Sequence, residues 1–425
     1  MVTPSSQSDS NPVVDATALD TTDSTATDST ATETQPTAAD KSATDRATAA
    51  EASSLGQPWL YAGGTVLAIY GLFASVDLLV IGFQSILGPQ AEALLTLAAN
   101  PWLGLMLGII ATALIQSSSV VTTLLVALVA GGLPIATAIP MVMGANLGTT
   151  ITNTLVSLGY IGNDEDFERG FAAATIHDCF NAIALIIFFP LELLLHPLEH
   201  LSQWLLAHSP SLTLGSIPLI SPIDWLMQPT RWLMAYGVNH LIGPWDSLLL
   251  FGSSVGGLMV CVTALGWMMR HWLNDSAKTV IYWAMGHGSP LGGLVTGAGI
   301  TALVQSSSMT TSLMVPLAGA GIATLDDIYP FVLGANVGTC VTALIATTAT
   351  GSSVSFQLAL VHLSYNLLAV ALIYGLPILR IVPLTMARAL ATTTKRYRIV
   401  AIAYVMGTFF LLPFLALWLS SRLIS

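Results

Sequence analysis

The tetrapeptide Gln-Ser-Ser-Ser occurs twice, at Gln116 to Ser119 and at Gln305 to Ser308, each time inside an otherwise apolar stretch. The two copies stand 189 residues apart. The same shift carries Pro101 onto Pro290, Gly104 onto Gly293, Gly108 onto Gly297, Thr112-Ala113-Leu114 onto Thr301-Ala302-Leu303, and Thr122 onto Thr311. After one inserted residue it carries Pro140 onto Pro330 and Gly144-Ala145-Asn146-Leu147-Gly148-Thr149 onto Gly334-Ala335-Asn336-Val337-Gly338-Thr339. His177 and Asn181 are echoed by His362 and Asn366. So long a register marks an internal duplication, and a duplicated chain builds two similar halves.

With 54% hydrophobic residues, 8% charged residues and a mean hydropathy of +0.75, the body of the chain is too apolar for water. An all-α polytopic membrane protein is expected. Acidity is concentrated at the front, where residues 1–57 hold nine Asp/Glu against two Lys/Arg, a formal −7 of the chain's −11. That stretch is rich in Ser, Thr, Ala and Asp, carries no helical apolar pattern and is read as a disordered tail. Cys179, Cys261 and Cys340 lie in apolar segments without paired spacing and read as small core residues.

Apolar runs long enough to cross about 30 Å of hydrocarbon lie near Trp59 to Phe83, Phe171 to Pro190, Ser247 to Met269, Phe356 to Leu379 and Ile399 to Leu419. The repeats differ: each is interrupted by Gln-Ser-Ser-Ser, by a Gly-containing turn, and by Gly-Ala-Asn-x-Gly-Thr, a pattern that predicts re-entrant hairpins and broken helices. Basic residues crowd two connections, with Arg380, Arg388, Lys395, Arg396 and Arg398 in one and Arg270 and Lys278 in the other, which are therefore expected to be cytoplasmic.

The expected order is an acidic cytoplasmic tail at 1–57, a first helix and connection at 58–100, and repeat 1 at 101–190. An external connection at 191–246 and a helix with a cytoplasmic loop at 247–279 follow. Repeat 2 at 280–379, a basic cytoplasmic loop at 380–398 and a C-terminal helix at 399–425 complete it. Tracing the chain from its basic anchors makes the repeats run in opposite directions, an inverted-topology pair around a central site, as in alternating-access transporters.

A helix break at Gln-Ser-Ser-Ser would aim free backbone N–H groups and hydroxyls into a gap, which suits a small tetrahedral anion. The candidate anion ligands are Gln116, Ser117, Ser118, Ser119, Ser306, Ser307 and Ser308. Oxygens of Gln, Ser, Thr149, Thr152, Thr339 and Thr342 equally suit sodium, and the Thr pairs stand three apart on one helical face. Asp178 places a carboxylate in an apolar span, where a sodium counter-ion would offset its cost. His177 and His362 are read equally as functional groups or as a packed polar network. Gly104/Gly108 and Gly293/Gly297 read as close helix contacts at small-xxx-small spacing. The acidic run from Asn163 to Glu168 reads as a solvated helix cap. Gly286-His287-Gly288-Ser289 lacks the form of a nucleophile turn and has no duplicated counterpart, so an intramembrane hydrolase is discounted.

These motifs resemble a known family. The doubled Gln-Ser-Ser-Ser, Met143-Gly144-Ala145-Asn146-Leu147-Gly148-Thr149 with Thr152-Asn153-Thr154, Ala174-Thr175-Ile176-His177-Asp178-Cys179-Phe180-Asn181, and Met386-Ala387-Arg388-Ala389-Leu390 with Lys395-Arg396-Tyr397-Arg398 resemble the type II sodium-dependent phosphate cotransporters. The resemblance implies symport of inorganic phosphate with sodium, phosphate lying between the two Gln-Ser-Ser-Ser motifs. By the same carry-over Gln305, Ser306, Thr339 and Thr342 form one sodium site, Asn181 belongs to another, and Asp178 matches the carboxylate of electrogenic members. No cofactor, no enzymatic activity and no nucleic-acid partner are expected. Ala335 stands where many relatives have Ser, and Asn163 where some have Asp. A short external connection without the animal proteins' cysteines, and an end at Ser425, lead to the expectation of a bacterial inner-membrane member. A sodium-coupled carrier of another tetrahedral oxyanion is the alternative.

Overall fold

The computed structural model describes residues 57–98, 100–149, 151–208, 247–265 and 289–424, with isolated positions at 228–229, 232 and 267–268. The expectations for the tail at 1–56, for most of the external connection and for the linker 269–288 fall outside the described residues.

Among the described residues the regular structure is helical. Helix α1 (Gln57–Ala98) precedes the first repeat, α2 (Pro101–Ile115), α3 (Ser118–Ala130), α4 (Ile135–Gly148) and α5 (Ile151–Ser157). Then come α6 (Asp164–Leu195), α7 (Pro197–His208) and the span α8 (Ser247–Leu265). The second repeat is α9 (Pro290–Val304), α10 (Ser307–Ser312), α11 (Met314–Gly319), α12 (Leu325–Thr350) and α13 (Ser353–Ala369). The chain closes with α14 (Pro377–Arg396), α15 (Ile399–Met406) and α16 (Leu412–Ile424). Among the described residues seven helices are long and apolar enough to cross a membrane. Their outer faces carry exposed Leu67, Ile186, Leu249 and Leu411, whereas Asn, His, Thr and Asp are buried inside. Apolar outside and polar inside is the arrangement a bilayer selects, and the protein is a multi-pass membrane protein.

The fifteen residues of α2 and of α9 reach about 22 Å, too short to span. Their paths follow from their glycines. A Cβ on Gly108 would stand 2.1 Å from Met141 O, and on Gly144 2.1 Å from Leu105 O; Gly148 abuts Ile109 and Gly104 abuts Thr137. Contact partners rise together along both helices, so α2 and α4 run parallel, and α3 must carry the chain back between them. The second copy repeats this, Gly297 lying against Phe331 O, Gly334 against Leu294 O and Gly338 against Ala298 O. These approaches are the close contacts that small residues permit in lipid.

The two hairpins lie at different ends of α6. Arg169, near the start of α6, donates from Nε to Gly319 O at the end of α11 at 3.1 Å. Pro101 and Pro134, at the mouth of the α2–α3 hairpin, instead share a cavity with Glu192 and His196 at the finish of α6.

Two expectations need correction. Gly-Ala-Asn-x-Gly-Thr does not break the second repeat, because Gly334 to Thr339 lie inside the continuous helix α12. In the first repeat the helix does end at the motif, α4 closing at Gly148 with Thr149 as its C-cap and α5 beginning at Ile151. The glycines read as breakers are instead the residues whose missing side chains admit α9 and α2. The basic segment 380–398 is not a loop either. Most of it is α14, which buries Leu384, Ala387 and Ala391 against α6 and exposes Ile378 and Ile381. Its cations meet acidic residues on α6 and α12: Lys395 Nζ to Glu168 Oε2 at 2.8 Å, Arg398 Nη2 to Asp164 Oδ1 at 2.5 Å, and Arg388 to Asp326. The Glu168 hydrogen bond holds the Lys395 ammonium above its ordinary range.

Replacing Gly334 with Ala forces a Cβ to 1.9 Å from Leu294 O, whereas Gly299 meets nothing within 4 Å. Gly334→Ala is expected to destabilise the protein by at least about 1–3 kcal/mol. Gly299→Ala should be neutral or stabilising, and thermal unfolding in detergent compares the two.

Candidate functional site

Each Gln-Ser-Ser-Ser is the break in its hairpin, and the two breaks share one backbone geometry. Gln116 and Gln305 are left-handed C-caps, with φ 61° and 58°, and Ser117 and Ser306 follow in extended conformation. A left-handed non-glycine residue costs roughly 1–2 kcal/mol, and such strain gathers at functional positions. Each Gln amide turns back to donate to a carbonyl three residues earlier, Ala113 O and Ala302 O. Each Ser caps the next helix by accepting from a backbone N–H, Ser117 from Val120 and Ser306 from Met309. Ser118, Ser119, Ser307 and Ser308 occupy the first turns of α3 and α10, where helix N–H groups lack intrahelical acceptors. All four are buried.

Each copy's broken segment rests on the other copy. Ser308 Oγ donates to Thr149 O at 3.2 Å, and Asn153 Nδ2 to Thr311 Oγ1 at 2.7 Å. In the opposite sense, Ser355 Oγ on α13 donates to Val126 O on α3 at 2.8 Å. Aromatic pairs span the same boundary, Phe180 with Tyr329 and Phe188 with Tyr365.

The copies differ at one oxygen pair. In the first, Thr152 Oγ1 donates to Gln116 Oε1 at 2.7 Å. In the second, the corresponding Thr342 Oγ1 and Gln305 Oε1 are both buried and neither has a hydrogen-bond partner. Thr339, one turn before Thr342, donates to Ala335 O within α12, leaving its oxygen lone pairs. A buried amide oxygen and hydroxyl without partners cost free energy unless something else satisfies them. A cation without strong hydration demands would do so.

Asn181 and Asp178 lie on neighbouring faces of α6 but meet different surroundings. Asn181 donates to Asn146 O at 2.9 Å and accepts from Asn336 Nδ2 at 2.7 Å. His177 Nε2 meets Asn336 Oδ1, and His362 Nε2 meets Asn146 Oδ1 at 3.0 Å, so both histidines belong to a packed network tying the copies together. Asp178 instead accepts from Tyr404 OH at 2.9 Å and borders a cavity of about 520 Å³ lined by Met386, Leu390, Thr393 and Tyr404. Its second oxygen, Oδ1, is buried without a partner. The acidic run at the start of α6 is a helix cap: Asn163 Oδ1 accepts from Glu165 N and Asp166 N.

Several residues at this centre escaped the sequence reading. Asn146 and Asn336 were visible as matched positions in the repeated motif, but only the fold pairs them with Asn366, Asn181 and the two histidines. Asn153 has Ala343 as its counterpart and Tyr404 lies outside the repeats, so duplication carried no signal for either.

The Na+/Pi-cotransporter family model matches residues 72–205 and 258–412. Sodium-dependent phosphate transport protein 2A of Rattus norvegicus is 32% identical over an alignment covering 83% of this chain and 66% of the relative. Protein 2B of Homo sapiens is 30% identical over 83% and 64%. Protein 2C of Rattus norvegicus is 30% identical over 68% and 60%. The chain thus spans just under two thirds of the length of these curated relatives. No solved structure matches it. On the strength of both matched segments, which hold both copies of the interrupted hairpin, the chain belongs to the Na+/Pi-cotransporter family.

Proposed function

We propose that this chain is a secondary active symporter that imports inorganic phosphate on the sodium gradient, in a bacterial inner membrane. The observation that carries the reading is the asymmetric oxygen pair: Gln305 Oε1 and Thr342 Oγ1 buried without partners where Gln116 and Thr152 bond each other. Gln305, Ser306, Thr339 and Thr342 form one sodium site. Asn181 and Asp178 serve a further sodium, the carboxylate supplying its counter-charge. Phosphate lies between the two breaks, held by Gln116, Ser117, Ser118, Ser119, Ser306, Ser307 and Ser308 through hydroxyls and helix N–H groups. Neutral donors bind an oxyanion reversibly, as transport requires. The names of the relatives, all sodium-dependent phosphate transport proteins, support the same substrates.

The halves act as inverted-topology repeats, with the ion-paired end of α6 and α14 cytoplasmic. Alternating access would then move the hairpins against the bundle that braces them, opening the shared site to each side in turn.

The test is ³²P-phosphate uptake into proteoliposomes with and without an inward sodium gradient. Gradient-driven uptake is expected in the wild type, and Gln305→Ala and Ser118→Ala should each lower it about tenfold or more. Uptake indifferent to sodium would refute the reading, and sulfate competing as well as phosphate would point to a different oxyanion. Thermal unfolding gives an independent check. In sodium-free buffer Thr152→Val should cost about 1–3 kcal/mol, because it strands Gln116 Oε1. Thr342→Val should cost less there but abolish part of the stabilisation that sodium confers on the wild type.

A further inference from the structure

Six buried side chains form a network with two-fold form across the copies. Asn336 Nδ2 donates to Asn181 Oδ1 at 2.7 Å while Asn336 Oδ1 meets His177 Nε2. In the mirror arrangement Asn146 Nδ2 donates to Asn366 Oδ1 at 2.9 Å while Asn146 Oδ1 meets His362 Nε2 at 3.0 Å. An amide oxygen only accepts, so each histidine carries its proton on Nε2 and thereby dictates which way its asparagine partner points. Asn181 is held at both ends, its Nδ2 on Asn146 O and its Oδ1 under Asn336, and that oxygen keeps its second lone pair.

The two halves of the network differ in what lies beside them. Three residues before Asn181 stands Asp178, on a neighbouring face of the same helix; three residues before Asn366 stands Leu363. Among the described residues of these two stretches, the Asn181 half alone carries a carboxylate on the same helix, and Asp178, which accepts from Tyr404, leaves its Oδ1 buried without a partner.

We propose that Asn336, oriented by His177, is the positioning residue that holds Asn181 in its cation-binding rotamer, while its mate Asn146 braces Asn366 without a cation. This rests on the reading of Asn181 as a sodium ligand. The mate supplies a built-in comparison. Asn336→Ala and Asn146→Ala each remove two side-chain hydrogen bonds from equally buried sites, so a purely structural role would affect both alike.

The experiment measures the sodium dependence of phosphate uptake in proteoliposomes for Asn336→Ala, Asn146→Ala, Asn181→Ala and the Asn336→Ala/Asn181→Ala double variant. Asn336→Ala should raise the sodium half-saturation about tenfold, with phosphate half-saturation at saturating sodium changed less than about twofold. Asn146→Ala should leave sodium half-saturation within about twofold of wild type, and the double variant should be no worse than Asn181→Ala alone. Equal sodium shifts in the Asn336 and Asn146 variants, or full additivity in the double variant, would overturn the proposal. If Asn181→Ala shifts sodium dependence and Asn336→Ala does not, positioning alone fails; if Asn181→Ala itself is silent, the reading of Asn181 fails and the proposal with it. Should the alanine variants not fold, Asn336→Ser and Asn146→Ser are compared by the same readout.

Discussion

A helix interrupted inside a membrane protein exposes backbone N–H and C=O groups that no water is at hand to satisfy. Everything at the centre of this fold answers that constraint. The chain spends one left-handed residue at each break, turns the glutamine amide back onto its own helix, and caps the next helix with a serine hydroxyl. What remains at each break is a turn of helix N–H groups and the buried serine hydroxyls that follow the cap.

Such breaks hold their shape only if something rigid lies against them. Here each copy is rigid where the other is broken. The long helix α12 of the second copy and α5 of the first press against the opposite hairpins, and Asn336 and Asn146 reach from α12 and α4 into the other half. Backbone-to-backbone contact at Gly108, Gly144, Gly297 and Gly334 brings each short helix close enough to its own long one for this cross-bracing to work. Close packing without a solvent-driven hydrophobic force is what small residues supply in lipid.

Much of this could be read from the chain. The duplication, the positions of both breaks and the packing role of Gly108 and Gly297 follow from spacing and residue type, because those properties are local or repeat at a fixed interval. In the second copy Gly-Ala-Asn-x-Gly-Thr misled for a physical reason: glycine weakens an isolated helix, but within a tight helix pair the same glycine is what lets the helix exist. The basic segment after Arg380 misled likewise, since charge alone does not distinguish an interfacial helix, half-buried along Leu384, Ala387 and Ala391, from a loop.

The sequence by itself determined that two similar halves would meet in lipid around paired polar interruptions, because composition and register leave an apolar, duplicated chain little else to build. Only the tertiary structure decided how the halves divide their work. Thr152 reaches Gln116 while Thr342 leaves Gln305 open, and Asp178 turns to Tyr404 while Asn181 is clasped by Asn336. Those differences depend on which distant helix lies within about 3 Å of each side chain, a distance that no spacing along the chain encodes.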